Sequence, residues 1–315
     1  MKVVALAGGV GGAKLADGMA RLLSAEDLTV IVNTGDDFEH FGLYICPDLD
    51  TVCYTLAGLA NTATGWGRAR ETWGALETIE ALGGPDWFRL GDKDIGLHLE
   101  RTRRLRAGET LSQITERFCR ALGVSARVLP TLNDPAPTSV YTIELGEIPF
   151  QEYFVHHQCR PHVTGFRFKD IEYAHPAPGI LEALRSADLV VICPSNPWVS
   201  IDPILAVPGL RAELETRRVV AVSPIIGGQA VKGPAAKMYA ELNIEPSAFS
   251  VARHYQGLLS GFVLDKQDQE QAEAVQVLGI QPLVTDTLMI NQQDRLRLAA
   301  QVLEFGEKLV RSPKR

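Results

Sequence analysis

The chain has 315 residues, 46% of them hydrophobic and 22% charged, with a formal net charge of −7 and a sequence pI near 5.6. This is too apolar for a disordered chain and long enough for one large α/β domain with an insertion, or for two modest domains. The acidic balance argues against a nucleic-acid partner, which calls for a basic face, yet leaves room for a nucleotide held by local amides and a metal ion.

Val3–Ala7 is a short all-apolar run of the kind buried on both faces of a parallel sheet. It breaks at once into glycines, so it does not read as a signal peptide. A helix is expected from Ala13 to Leu23, then a second buried strand at Leu28–Val32. This β-loop-α-β opening is the mark of a parallel sheet. The middle of the chain reads differently. Helical stretches are expected near Thr51–Ala60, Arg68–Leu82, Lys93–Arg106 and Leu111–Leu122, and alternating segments around Ser139–Leu145 and Gly165–Tyr173 suggest antiparallel strands. Helical patterns at Gly179–Arg185 and Leu210–Glu215 precede two further buried strands, Leu189–Cys193 and Val219–Val222. The C-terminal region reads as mostly helical and ends in Gln292–Val310.

These elements describe an α/β, doubly wound, mainly parallel core made from residues 1–50 and 174–315. A helical and partly antiparallel insertion, 51–173, sits between its halves. No run of about twenty apolar residues suits a membrane span. The five cysteines (Cys46, Cys53, Cys119, Cys159 and Cys193) form no C-x-x-C pair, which points to reduced thiols rather than a disulfide framework or a zinc site. A cytoplasmic protein with no membrane partner is expected.

Between the first strand and the first helix lies Gly8-Gly9-Val10-Gly11-Gly12-Ala13-Lys14. Glycines there let backbone amides approach an anion, and a helix N-terminus adds partial positive charge. The dinucleotide fingerprint fails because Lys14 stands where its third glycine is needed. A Walker loop fails because Ala13 precedes Lys14 and Leu15 follows it. The competing reading is a tight turn that only lets helix pack on strand.

The loop leaving the second strand holds Asp36 and Asp37, then Asp48 and Asp50. Open α/β sheets bind ligands at this edge, and magnesium needs only one or two carboxylates beside substrate phosphates. Each aspartate taken singly could equally form a turn or cap a helix. A second acidic site, Gly91-Asp92-Lys93-Asp94, is followed by His98 and the run Arg101, Arg103, Arg104, Arg106, most of which reads as a solvated helix face. Two later loops leave the same edge: Pro194-Ser195-Asn196-Pro197, and Ser223 to Gly227-Gly228 with Lys232-Gly233-Pro234 beyond. Three polar loops on one edge suit a large nucleotide.

The blocks GGVGGAKL (8–15), NTGDD (33–37), PDLDTVCYTLAG (47–58), LGDKDIGLH (90–98), PSNPWVSIDPIL (194–205), SPIIGGQAVKGPAAKM (223–238) and TDTLM (285–289) follow one another in an order that resembles the 2-phospho-L-lactate transferase family of deazaflavin coenzyme F-420 biosynthesis. The resemblance covers nearly the whole chain. It implies a Rossmann-like fold and a Mg2+-dependent transfer, from a lactyl- or enolpyruvyl-diphosphoguanosine donor to the deazaflavin alcohol FO, with release of GMP. By motif match, Asp50 and Lys93 would contact the deazaflavin, with Lys93 standing where the family often has arginine. Residues Gly9, Gly11, Gly12, Lys14, Ser195, Asn196, Gly227 and Gly228 would hold the guanosine diphosphate portion. Asp37, Asp48 and Asp50 are the candidates for the metal. Asp50 would orient or deprotonate the attacking hydroxyl, with Asp48 or Asp37 helping to hold the metal, and the insertion would help form the acceptor site. The family suggests a homodimer. The alternative is a non-catalytic nucleotide-sugar-binding regulator on a similar fold.

Overall fold

A computed structural model describes residues 1–231 and 233–312; Lys232, expected at the opening of a helix, lies outside the described residues. Seven parallel strands form the main sheet: β1 (Val3–Ala7), β2 (Leu28–Val32), β3 (Arg127–Pro130), β4 (Leu189–Ile192), β5 (Val219–Val222), β6 (Gly261–Asp265) and β7 (Gln281–Thr285), in the order 3-2-1-4-5-6-7. This is a doubly wound, Rossmann-like sheet whose direction of progression reverses between β1 and β4. Both faces are covered. One cluster packs Val4, Leu6, Ile31 and Val190 against the helices on one side, and another packs Val3, Ala5, Val30 and Val191 on the other.

Four of these strands match the apolar runs read from the sequence, and three do not. Pro130 ends β3 and Pro282 lies within β7, and these are the two edges of the sheet. Proline cannot donate to a ladder, so edges are where it survives and also where a sequence looks least like a strand. The C-terminal region is therefore less helical than expected, since β6 and β7 both lie in it. Strand β3 belongs to the segment 51–173, which thus contributes to the main sheet as well as forming an insertion.

The helices near the sheet edge also start earlier than expected. Helix α1 spans Gly9–Ala20 with Gly8 as its cap, so the glycines occupy its first turns rather than a preceding loop. The cause is close packing: a Cβ on Gly11 would lie 2.2 Å from the Pro194 carbonyl oxygen. Helix α2 spans Pro47–Leu56, which places Asp48 and Asp50 in its first turn, where the helix dipole favours negative charge. Helix α3 covers only Gly74–Ala81, and the residues from Arg68 onward, expected to be helical, form an isolated bridge from Arg68 to Ala60, a turn at Ala69 and Arg70, and irregular chain. Helix α4 (Asp92–Arg106) and helix α5 (Leu111–Ala121) follow the sequence pattern closely. The antiparallel insertion is a three-stranded sheet of Gly146–Pro149, Thr138–Thr142 and Val163–Phe168, with Thr138–Thr142 in the middle.

Candidate active site

The carboxyl ends of β1, β2 and β4 open onto one cavity of about 670 Å³. Its floor is the N-terminal turn of α1, with Gly8, Gly9, Gly11 and Lys14 on its lining. Amide groups at a helix start make such a floor receptive to phosphate. Across the switch point stand Ser195 and Asn196. Ser195 Oγ donates to the Gly8 carbonyl at 2.7 Å and accepts from the Gly8 amide at 3.3 Å, stitching β4 to β1. Asn196 Oδ1 caps the following turn by accepting from the Trp198 amide at 3.0 Å. Lys14 Nζ reaches the Met289 carbonyl at 2.7 Å, which draws the TDTLM block onto the same rim.

One wall is acidic. Asn33 Nδ2 donates to Asp36 Oδ1 at 3.0 Å, to Asp48 Oδ2 at 2.9 Å and to the Val199 carbonyl at 3.0 Å. Two protons serve three acceptors there, so the two carboxylates share an undersupplied donor. Both are buried and line the cavity. Burial, followed by the charge of Asp48, pushes Asp36 well above the ordinary carboxylate range. Burial likewise lifts Asp48 to about 6, against the pull of Asn33 and the Gly9 amide.

Asp37, adjacent in sequence to Asp36, turns the other way. It lies off the cavity lining among Cys46, Tyr44 and Arg101, and neither of its buried oxygens has a hydrogen-bond partner among the described residues. Asp50 lines the cavity, and Arg101 grips both of its oxygens, through Nη1 to Oδ2 at 3.0 Å and through Nη2 to Oδ1. Arg101 Nη1 also lies 3.1 Å from His98 Nδ1. A guanidinium cannot accept, so that nitrogen does, which places the imidazole proton on Nε2. Burial lowers the His98 pKa to about 4, so the ring is neutral near pH 7. Among the described residues no three His, Cys, Asp or Glu side chains converge as a metal cage.

Several expected site residues stand elsewhere. Lys93 is exposed, off the cavity lining, and its Nζ is spent on the Arg70 carbonyl. Gly12 is buried beneath the floor, where a Cβ would come within 2.8 Å of Ser195 Oγ. Gly227 and Gly228 sit in a two-residue hairpin turn outside the lining, and the Gly227 amide is taken by the Asp268 carboxylate, 3.1 Å from either oxygen.

Sequence patterns place Asp36 and Asp94 in acidic loops without giving either a role, and they do not single out Arg101 or the aromatic lining of the cavity. Arg101 is 2% exposed, whereas Arg103 and Arg104 pair with Glu100 on the outer face as expected. The signal for Arg101 is its spacing: Asp94, His98 and Arg101 fall at i, i+4 and i+7 of one helix and share a face. The cavity is also lined by Trp66, Trp87, Phe88, Phe150 and Phe154, with Trp87 and Phe88 meeting edge to face at 5.7 Å.

Comparison with known proteins agrees with this picture. A family model described as 2-phospho-L-lactate transferase CofD matches residues 3–303. A phosphoenolpyruvate transferase of Streptomyces griseus is 43% identical over 316 residues, covering 98% of this chain and 99% of that protein. Another from Nocardia farcinica is 40% identical over 299 residues, covering 90% of each. A crystal structure of a UPF0052 family protein from Bacillus halodurans shares the fold, with a TM-score of 0.62 at 16% identity over 96% of this chain and 100% of that one. Fold, cavity and relatives together define a transferase enzyme. The chain belongs to the 2-phospho-L-lactate transferase CofD family. Among its described residues no helix is long and apolar enough to cross a membrane.

Proposed function

We propose that this enzyme moves a phosphate-linked three-carbon acid from a diphosphoguanosine donor to the ribityl hydroxyl of the deazaflavin FO, releasing GMP, as a step of coenzyme F-420 biosynthesis. The observation that carries the reading is that one cavity is lined both by the start of α1 at the β1/β4 switch point and by a set of aromatic rings. The helix start suits two phosphates, and a flat tricyclic acceptor suits rings that offer edges and faces. The relatives' name, phosphoenolpyruvate transferase, favours enolpyruvate over lactate in the donor.

The α1 amides, with Ser195 and Asn196 on the facing loop, hold the donor phosphates in line with the hydroxyl; positioning of this sort supplies much of the rate in phosphoryl-group transfer. Asp36 and Asp48 fit a magnesium ion, because two buried carboxylates sharing an undersupplied amide need a cation. When bound, the ion supplies charge neutralisation on the diphosphate. Asp50, held at both oxygens by Arg101, orients the acceptor and leaves the cavity floor to the donor. No covalent enzyme intermediate is required. Incubation with FO, magnesium and each donor in turn, with GMP release followed directly, tests the reading; GMP release that does not depend on FO would count against it.

A further inference from the structure

A hydroxyl that attacks phosphorus must lose its proton to an oxygen that is within reach and not already engaged. Four carboxylates line the cavity: Asp36, Asp48, Asp50 and Asp94. Asp36 accepts from Asn33 on one oxygen and from Gln151 Nε2, at 3.2 Å, on the other. Asp48 accepts from Asn33 on Oδ2, and its Oδ1 faces Gly9 at the start of α1, on the side of the proposed cation. Asp50 gives both oxygens to Arg101. Of the four, Asp94 combines an oxygen outside any hydrogen bond with a place outside the proposed cation pair. Its Oδ1 accepts from the Tyr54 hydroxyl at 2.7 Å, and no hydrogen bond engages its Oδ2 among the described residues. Gly67 lies against that oxygen, where a Cβ would be in ordinary contact at 3.7 Å, and Asp94 itself lines the cavity.

Resting on the proposed transfer, we infer that Asp94 is the general base, accepting the proton of the acceptor hydroxyl on Oδ2 while Tyr54 fixes its other oxygen. As the hydroxyl oxygen forms its bond to phosphorus, the O–H electron pair stays on that oxygen and the proton passes to Asp94. The bond from phosphorus to the bridging oxygen breaks, and its pair leaves with GMP. Asp94 then returns the proton to solvent. Its surroundings suit it to that role. Burial comes first, then the charges of Asp50 and Glu71, which together outweigh the Tyr54 hydrogen bond and Arg68 and lift the carboxyl to about 6. A base with that proton affinity is ionised at neutral pH yet still binds a proton usefully.

The test uses the full chain with FO and donor. Asp94→Asn, close to isosteric, is expected to lower kcat by about 10²–10⁴-fold. At saturating magnesium, which holds Asp48 in its charged form, it should also abolish the acid limb of the kcat/KM profile near pH 6, while GDP, as a probe of the donor site, binds with unchanged affinity. Tyr54→Phe removes a hydrogen bond that favours the charged carboxylate and should move the acid limb upward, which a purely structural tyrosine would not do. An Asp94→Asn enzyme with undiminished kcat, or one that keeps the acid limb, overturns the assignment; so does a Tyr54→Phe limb that stays in place. If the unsubstituted chain transfers nothing to FO from either donor, the proposed transfer itself fails and the Asp94 role falls with it, a result separable from the first because it appears before any substitution.

Discussion

Arg101, on the buried face of α4, forks around both carboxylate oxygens of Asp50 in the first turn of α2. The pair joins the helix that starts with the GDKD loop to the helix that carries the cavity's acids, and it does so out of water, at 2% and 10% side-chain exposure. Removing one partner of a buried pair leaves an uncompensated charge. Arg101→Met should therefore cost about 3–5 kcal/mol of stability and most of the activity. Arg101→Lys should recover part of the stability but not the two-pronged grip. Urea denaturation of Arg101→Met, Asp50→Asn and the double variant forms a cycle, and the double variant is expected to be more stable than Arg101→Met alone.

The acid wall predicts an unusual pH dependence. Asp48 and Asp94 both titrate near about 6 in the folded chain, above their ordinary 3.8. Between those values the folded protein holds protons that the unfolded chain has released, so this contribution to stability falls as pH rises through the window. Without ligands, the melting temperature should be higher near pH 5 than near pH 7.5. Magnesium with GDP should raise it more at pH 7.5, where the carboxylates are ionised, than at pH 5. A thermal-shift series with and without both ligands checks this, and Asp48→Asn should remove most of the magnesium effect.

Gly11→Ala tests the floor. Its new Cβ would be driven to 2.2 Å from the Pro194 carbonyl oxygen, so α1 and the β4 loop must part. A loss of about 1–3 kcal/mol is expected, together with at least a tenfold weakening of GDP binding measured by calorimetry, since the two halves of the phosphate floor separate.

Trp87→Ala probes the aromatic lining. The ring packs against Phe88 and lies 5.0 Å from His40 at a steep angle. Losing one aromatic partner is worth about 0.5–1.5 kcal/mol, so KM for FO should rise about three- to tenfold while GDP affinity is unchanged. Steady-state kinetics at saturating donor separate these effects.

The interior of the sheet is legible in the sequence because β1, β2, β4 and β5 are buried on both faces and so must be continuously apolar. The margins are not, because β3 and β7 tolerate proline; β6, though interior and fully buried, escapes notice because Gly261 opens it and Asp265 closes it. The acid cluster is legible as a cluster. Its division is not: Asp36 and Asp37 are neighbours in one turn, and only the fold shows that one faces the cavity and the other a closed niche. Arg101 is hidden among arginines that do face solvent, and the aromatic wall is hidden because Trp66, Trp87 and Phe150 come from segments far apart in the chain.

Those same prolines have a consequence for assembly. A bare strand margin invites a neighbour to extend it, and a residue without an amide hydrogen refuses the invitation at one rung of the ladder. With Pro130 at one margin and Pro282 at the other, growth of the sheet from one molecule into the next is discouraged on both flanks. Two copies that do associate would then meet through helices or through the small antiparallel layer, each keeping its own switch-point cavity intact.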